Sequence, residues 1–108
     1  MNPRSFFAPD LFQGQVAIVT GGGSGIGLEV ARELGKLGAT IAICGRKPDK
    51  IEAGLASLRS AGLSDEHLLG ATCDIRDVAQ VEAFVRSTRE RFGRIDILIN
   101  NAGGQFPS

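Results

Sequence analysis

The eight residues from Thr20 to Gly27, TGGGSGIG, are the part of this chain best suited to hold a charged ligand. They follow a short apolar run and open a segment with helical periodicity. Gly21 permits a tight turn out of a strand, Gly25 lets the backbone approach a phosphate, and Gly27 lets the helix pack closely on a sheet. The helix N-terminus then offers unpaired N–H groups and a positive dipole end to a pyrophosphate. A glycine-rich turn that holds nothing is the plain alternative. No lysine-serine pair follows the glycines, which disfavours a mononucleotide P-loop. The spacing Gly21-x-x-x-Gly25-x-Gly27 also departs from the G-x-G-x-x-G fingerprint.

The elements that must position this loop follow from apolar periodicity. Val16-Ala17-Ile18-Val19 reads as a buried strand. Ile26, Val30, Leu34 and Leu37 recur at helical spacing, and Gly38 stops that helix. Ile41-Ala42-Ile43-Cys44 is the second strand. Pro48 and Asp49 open a second helix, striped by Ile51, Leu55 and Leu58 and ended by Gly62. His67 to Cys73 is a weaker third strand. Asp77 and Gln80 form a capping-box-like start to a third helix, whose apolar face is Val78, Val81, Val85 and Phe92. Gly93 ends it, and Ile95 to Ile99 is the fourth strand. Arg86, Arg89, Glu90 and Arg91 read as a solvated face. The resulting βαβαβαβ alternation predicts an α/β fold, a Rossmann-like, doubly wound parallel sheet of strand order 3-2-1-4. Ligands of such sheets bind at the carboxyl ends of the strands, where the order switches between the first and fourth.

Composition narrows the function. At 108 residues the chain is one domain at most. Twelve basic and 12 acidic residues cancel, which gives no general surface for nucleic acid or anionic membrane. No apolar run is long enough to cross a membrane, and the N-terminus has no signal-peptide core. A cytoplasmic setting is the default expectation. Cys44 and Cys73 fit no metal spacing and read as small buried hydrophobes rather than a redox pair. No metal site is expected. There is no tyrosine anywhere.

The loop T-G-x-x-x-G-x-G resembles that of the short-chain dehydrogenase/reductase family. Two further stretches carry the resemblance: Asp74 in Cys73-Asp74-Ile75, and Asn100-Asn101-Ala102-Gly103 after the fourth strand. It covers residues 14–106. It implies a dinucleotide-binding region over residues 14–108, preceded by an extension over residues 1–13. It also implies cofactor contacts from Thr20, Gly21, Gly23, Ser24, Gly25, Ile26, Gly27, Asp74, Ile75, Asn100, Asn101, Ala102 and Gly103. In the family the aspartate meets the adenine ring, and the asparagine and glycine of the last motif lie beside the nicotinamide ribose. Asn100 would also stabilise the sheet centre. A strand-ending turn with asparagine side chains on nearby backbone is a reading that coexists with this one.

An NAD-preferring site places an acid at the end of the second strand to hold the ribose 2′-hydroxyl. Here that position is Gly45, followed by Arg46 and Lys47. Glycine leaves room and arginine can pair with a 2′-phosphate, so NADP(H) is the expected cofactor and NAD(H) the alternative. A solvated turn before the Pro48 helix is the competing reading of Arg46 and Lys47.

The resemblance also shows what is missing. The family's chemistry uses a serine after a fifth strand and a Tyr-x-x-x-Lys on the next helix, and no catalytic residue of that kind is in this chain. The expectation is therefore the cofactor-binding half of an oxidoreductase whose intact members are usually homo-oligomers. The tail, Gly104-Gln105-Phe106, is similar to that of the trans-2-enoyl-CoA and 2,4-dienoyl-CoA reductases of the family, implying an unsaturated acyl-thioester substrate. Loop residues without substrate contact fit it equally. A 3-oxoacyl or other carbonyl reductase and a non-catalytic NADP-binding fragment are the alternatives.

Overall fold

The computed structural model describes residues 11–101; Ala102, Gly103, Gln105 and Phe106 lie outside them. The elements run β1 (Val16–Thr20), α1 (Gly25–Lys36), β2 (Thr40–Gly45), α2 (Pro48–Ser60), β3 (Leu68–Thr72), α3 (Val78–Phe92) and β4 (Ile97–Asn100), with a 3-10 turn at Asp65–His67 before β3. The four strands form one parallel sheet in the order β3-β2-β1-β4. This is the expected α/β, Rossmann-like architecture.

Side-chain alternation divides the core between two faces. Ala17, Val19, Ile41 and Ile43 pack with Ala31 of α1 and Ile51, Leu55 and Leu58 of α2. Ile18, Ala42, Cys44 and Cys73 pack with Phe84 of α3 on the other. β1 is buried along its whole length, as the continuous apolar run requires. α1 and α3 stop just before glycines with left-handed φ, Gly38 at +102° and Gly93 at +84°.

Two expected core residues are not in the core. Ile26 is 74% exposed and Val78 is 70% exposed. Each lies in its helix's first turn, at the carboxyl edge of the sheet, where the helix has not yet reached the strands. The buried face of α3 is instead centred on Phe84 and Thr88. Thr88 is admitted because its hydroxyl donates to the Phe84 carbonyl at 2.8 Å, leaving no unpaired polar atom. Val81 and Val85 flank that centre, half-buried.

β4 begins later than the Ile95–Ile99 run suggests. Asp96 occupies the ladder with its side chain: its carboxylate accepts from the Val16 N–H at 2.8 Å, while its own N–H donates to the Val16 carbonyl at 2.9 Å. Regular pairing then starts at Ala17 with Ile97. Arg94 bonds the same carboxylate and, with the Val16 N–H, holds it below the usual carboxylate range.

Candidate functional site

At the carboxyl ends of β1 and β4 one hydroxyl bonds across the two strands. Thr20, the last residue of β1, pairs in register with Asn100, the last of β4. Its hydroxyl donates to Asn100 Oδ1 at 2.9 Å and accepts from the Asn101 N–H at 2.9 Å. The asparagines therefore tie two strand ends together rather than bonding only nearby backbone. The Asn101 amide lies against Gly27: a Cβ there would meet Asn101 Nδ2 at 2.8 Å and collide with the Gly21 carbonyl. The loop after β1 and the loop after β4 thus face each other at the switch point.

The glycine loop is built by close backbone approach on one side and left open on the other. Gly21 and Gly25 both have left-handed φ, +66° and +62°. A Cβ at Gly22 would meet Ile43 Cγ2 at 2.5 Å, and one at Gly23 would meet the Lys50 carbonyl at 2.7 Å. A Cβ at Gly25 would meet nothing within 4 Å. Ser24 caps α1 with extended backbone and makes no side-chain cap bond. Its first turn carries no acidic residue, so the N–H groups that begin the helix keep their positive field. Gly54 of α2, which the sequence pattern does not single out, is part of the same packing. A Cβ there would lie 2.8 Å from Gly23 Cα. A glycine inside a helix is the one signal that marks it.

At the end of β2, Gly45 has room beside it: a Cβ would touch only Ile51 Cδ1, at 3.4 Å. Arg46 and Lys47 are exposed, and Lys47 is the backbone N-cap of α2. No carboxylate stands at the position that would hold a ribose 2′-hydroxyl. Across from it, after β3, Asp74 and the half-buried Ile75 form a turn in which Arg76 bonds the Asp74 carboxylate. That bond is the main reason the Asp74 carboxyl is held down at about 2; the Arg46 charge contributes in the same direction. The loops after β2 and β3 are therefore electrostatic neighbours.

Gln80 departs from its expected role. It does not accept from the backbone of the cap residue Asp77. Its Oε1 accepts from the Asp74 N–H at 2.9 Å, and its Nε2 donates to the Asp77 carboxylate at 3.0 Å. Asp77 itself caps α3, accepting from the N–H groups of Ala79 and Gln80.

The other reactive side chains lie apart from the crevice or are inert. Cys44 and Cys73 are free and buried beneath it, and burial pushes the Cys44 thiol up to about 12, far from a reactive thiolate. His67 sits at the amino end of the sheet, its Nδ1 3.0 Å from the Thr40 hydroxyl. Among the described residues no cluster could hold a metal ion, and no helix is long and apolar enough to cross a membrane.

The open glycine loop, the acid-free helix start, the space at Gly45 and the held carboxylate of Asp74 fit a dinucleotide laid across the carboxyl ends, with its adenosine half toward β2 and β3. The short chain dehydrogenase family profile matches residues 15–108. The chain is 43% identical over 100 residues to a peroxisomal 2,4-dienoyl-CoA reductase of Arabidopsis thaliana, covering 93% of this chain and 33% of that protein. It is 47% identical over 89 residues to a putative ketoacyl reductase of Streptomyces coelicolor, covering 82% of this chain and 33% of that protein. Among solved structures, an actinorhodin polyketide ketoreductase variant with NADPH superposes with a TM-score of 0.77 at 47% identity, covering 82% of this chain and 33% of that one. The chain spans about a third of the length of these relatives. It belongs to the short-chain dehydrogenase family.

Proposed function

We propose that this chain is the NADP(H)-holding portion of a reductase. The carrying observation is the end of β2: a glycine with space beside it and an exposed arginine, where an NAD site would place an acid. Bound there, the cofactor supplies a hydride. The chain's own residues bind and orient it. The loop from Gly21 to Gly27 and the α1 N-terminus take the pyrophosphate, and Arg46 takes the 2′-phosphate with Ser24 and Lys47 beside it. Asp74 and Ile75 border the adenine. Asn100 and Asn101 border the nicotinamide ribose, a role the family resemblance extends to Ala102 and Gly103, and Ile26, exposed in the first turn of α1, is free to contact the cofactor. The NADPH-bound ketoreductase that superposes on this chain supports the phosphorylated cofactor.

For the substrate of the whole enzyme, we favour an unsaturated acyl thioester. Gly104-Gln105-Phe106 and the 2,4-dienoyl-CoA reductase relative support it. A 3-oxoacyl carbonyl substrate is the second reading, favoured by the ketoacyl reductase at 47% identity. Comparing enoyl, dienoyl and 3-oxoacyl thioesters with the polypeptide that carries the family's Tyr-x-x-x-Lys separates the two.

The cofactor reading is tested by binding. Hydrogen bonds to charged groups contribute on the order of 1.5–3 kcal/mol. Arg46→Ala should therefore weaken NADPH binding by about tenfold or more and leave NADH nearly unchanged. Gly45→Asp, which the space at that position admits, should shift preference toward NADH. Titration of nicotinamide fluorescence measures both; equal losses for the two cofactors would sink the assignment.

A further inference from the structure

The turn after β3 is bonded more completely than a connection between a strand and a helix requires. Asp74 is held at four points. Its N–H donates to Gln80 Oε1 at 2.9 Å, and its carbonyl accepts from the Asp77 N–H at 2.9 Å. Carboxylate Oδ1 accepts from the Arg76 N–H at 2.9 Å and from Arg76 Nε at 3.0 Å. Oδ2 accepts from Arg76 Nη2 at 2.9 Å. A carboxylate has about four lone-pair sites. Three are taken by Arg76, two of them by its side chain, and the one that remains is on Oδ2.

The arrangement costs Arg76 conformational freedom for little evident return in stability. Its side chain is 72% exposed, and exposed ion pairs contribute little to stability. What the fork does accomplish is geometric. A planar guanidinium bonded through Nε and Nη2 fixes the rotation of the carboxylate, which a single contact would leave free. It also leaves one acceptor site, at the carboxyl edge of the sheet, on the β2–β3 side where the adenosine half of a dinucleotide lies. The base that would meet it must donate a hydrogen bond, and the exocyclic amine of adenine is such a donor. Hypoxanthine presents a carbonyl oxygen there and would oppose a fixed carboxylate.

From this geometry we infer that Arg76 is a positioning residue that makes the site selective for an adenine base, by locking the Asp74 carboxylate so that Oδ2 accepts from the exocyclic amine. The inference rests on the dinucleotide reading above. It adds a residue that touches the Asp74 carboxylate and is not itself required to touch the cofactor.

The test is a ratio of dissociation constants, hypoxanthine analogue of NADPH over NADPH itself, for the purified chain and its variants. Asp74→Ala sets the ratio reached when the acceptor is gone. Arg76→Ala should lower the ratio about tenfold toward that value, mainly by weakening NADPH binding. Arg76→Lys, which keeps the charge but not the fork, should fall between. A structural role would weaken both cofactors by the same factor and leave the ratio unmoved, and that result would overturn the inference while leaving the dinucleotide reading intact. An unchanged ratio in Asp74→Ala would overturn it as well. Failure of the unaltered chain to bind either cofactor would instead remove the dinucleotide reading, and the inference with it.

Discussion

A single hydroxyl ties the first residue after β4 to the end of β1, beyond the backbone ladder that joins the two strands. Thr20 is 9% exposed, and its oxygen serves both Asn100 Oδ1 and the Asn101 N–H. Thr20→Val keeps the shape of the side chain and removes both bonds. Asn100 is exposed and Asn101 half-buried, so water can reach the groups left behind, and the loss is that of ordinary hydrogen bonds at about 0.5–1.5 kcal/mol each; urea unfolding of Thr20→Val should show a loss of about that size. NADPH affinity should fall as well, because the loop after β4 is no longer fixed against Gly27. An unchanged midpoint would mean that water replaces the hydroxyl at no cost. The sequence marks Thr20 only as the first letter of a glycine motif, since its partner stands 80 positions away. The bond of Arg76 to the Asp74 carboxylate was not legible, because an exposed arginine two residues from an aspartate looks the same in sequence whether it is solvated or clamped. Cys44 and Cys73 were legible as buried, since each lies at the end of an apolar run and nothing charged adjoins Cys44 within the strand.

At the scale of elements, the loop after β1 is shaped by α2 as much as by its own glycines. Gly23 and Gly54 touch backbone to backbone, and this contact lets the glycine loop lie flat across the start of α2. Alanine in a helix interior ordinarily gains about 1 kcal/mol over glycine. Gly54→Ala should reverse that sign. Its Cβ would press on Gly23 Cα at 2.8 Å and Gly23 O at 3.1 Å, which are backbone atoms that cannot swing away. Forcing such contacts costs about 1–3 kcal/mol, so the variant should be less stable in urea and should bind NADPH more weakly. A stabilised variant with unaltered binding would show that the two elements are free to separate. The number, type and order of these elements could be read from periodicity because apolar spacing reports burial directly. Their first turns could not: Ile26 and Val78 continue the stripe in sequence but overhang the sheet in space. The start of β4 was hidden for a related reason, since Asp96 joins the ladder through its carboxylate, which no propensity registers.

The molecule as a whole is unevenly covered. α1 and α2 close one face of the sheet over β3, β2 and β1, and Ile97 and Ile99 of β4 pack against that side. The other face has only α3, packed over Ile18, Ala42, Cys44 and Cys73. Leu98 is in register with the buried Ile18 yet remains 65% exposed. Among the described residues β4 pairs with β1 alone, so its outer edge presents N–H and C=O groups beside an uncovered leucine. An apolar edge of that kind is a template for pairing with another strand. The purified 108-residue chain should therefore associate as its concentration rises, and size-exclusion chromatography over a wide concentration range should show the shift. Leu98→Lys places a charge on the open face, where it opposes edge pairing, and should return the chain toward monomer. Because Leu98 is already mostly in water, the same change should move the unfolding midpoint of the dilute protein little, which separates loss of association from loss of fold. The chain should also fail to oxidise NADPH with any acyl thioester. It has no tyrosine to pass the proton, and its one histidine is at the opposite end of the sheet, bonded to Thr40. A monomer at every concentration would mean that the β4 edge is already protected, and turnover by that monomer would require a proton donor other than those the family uses.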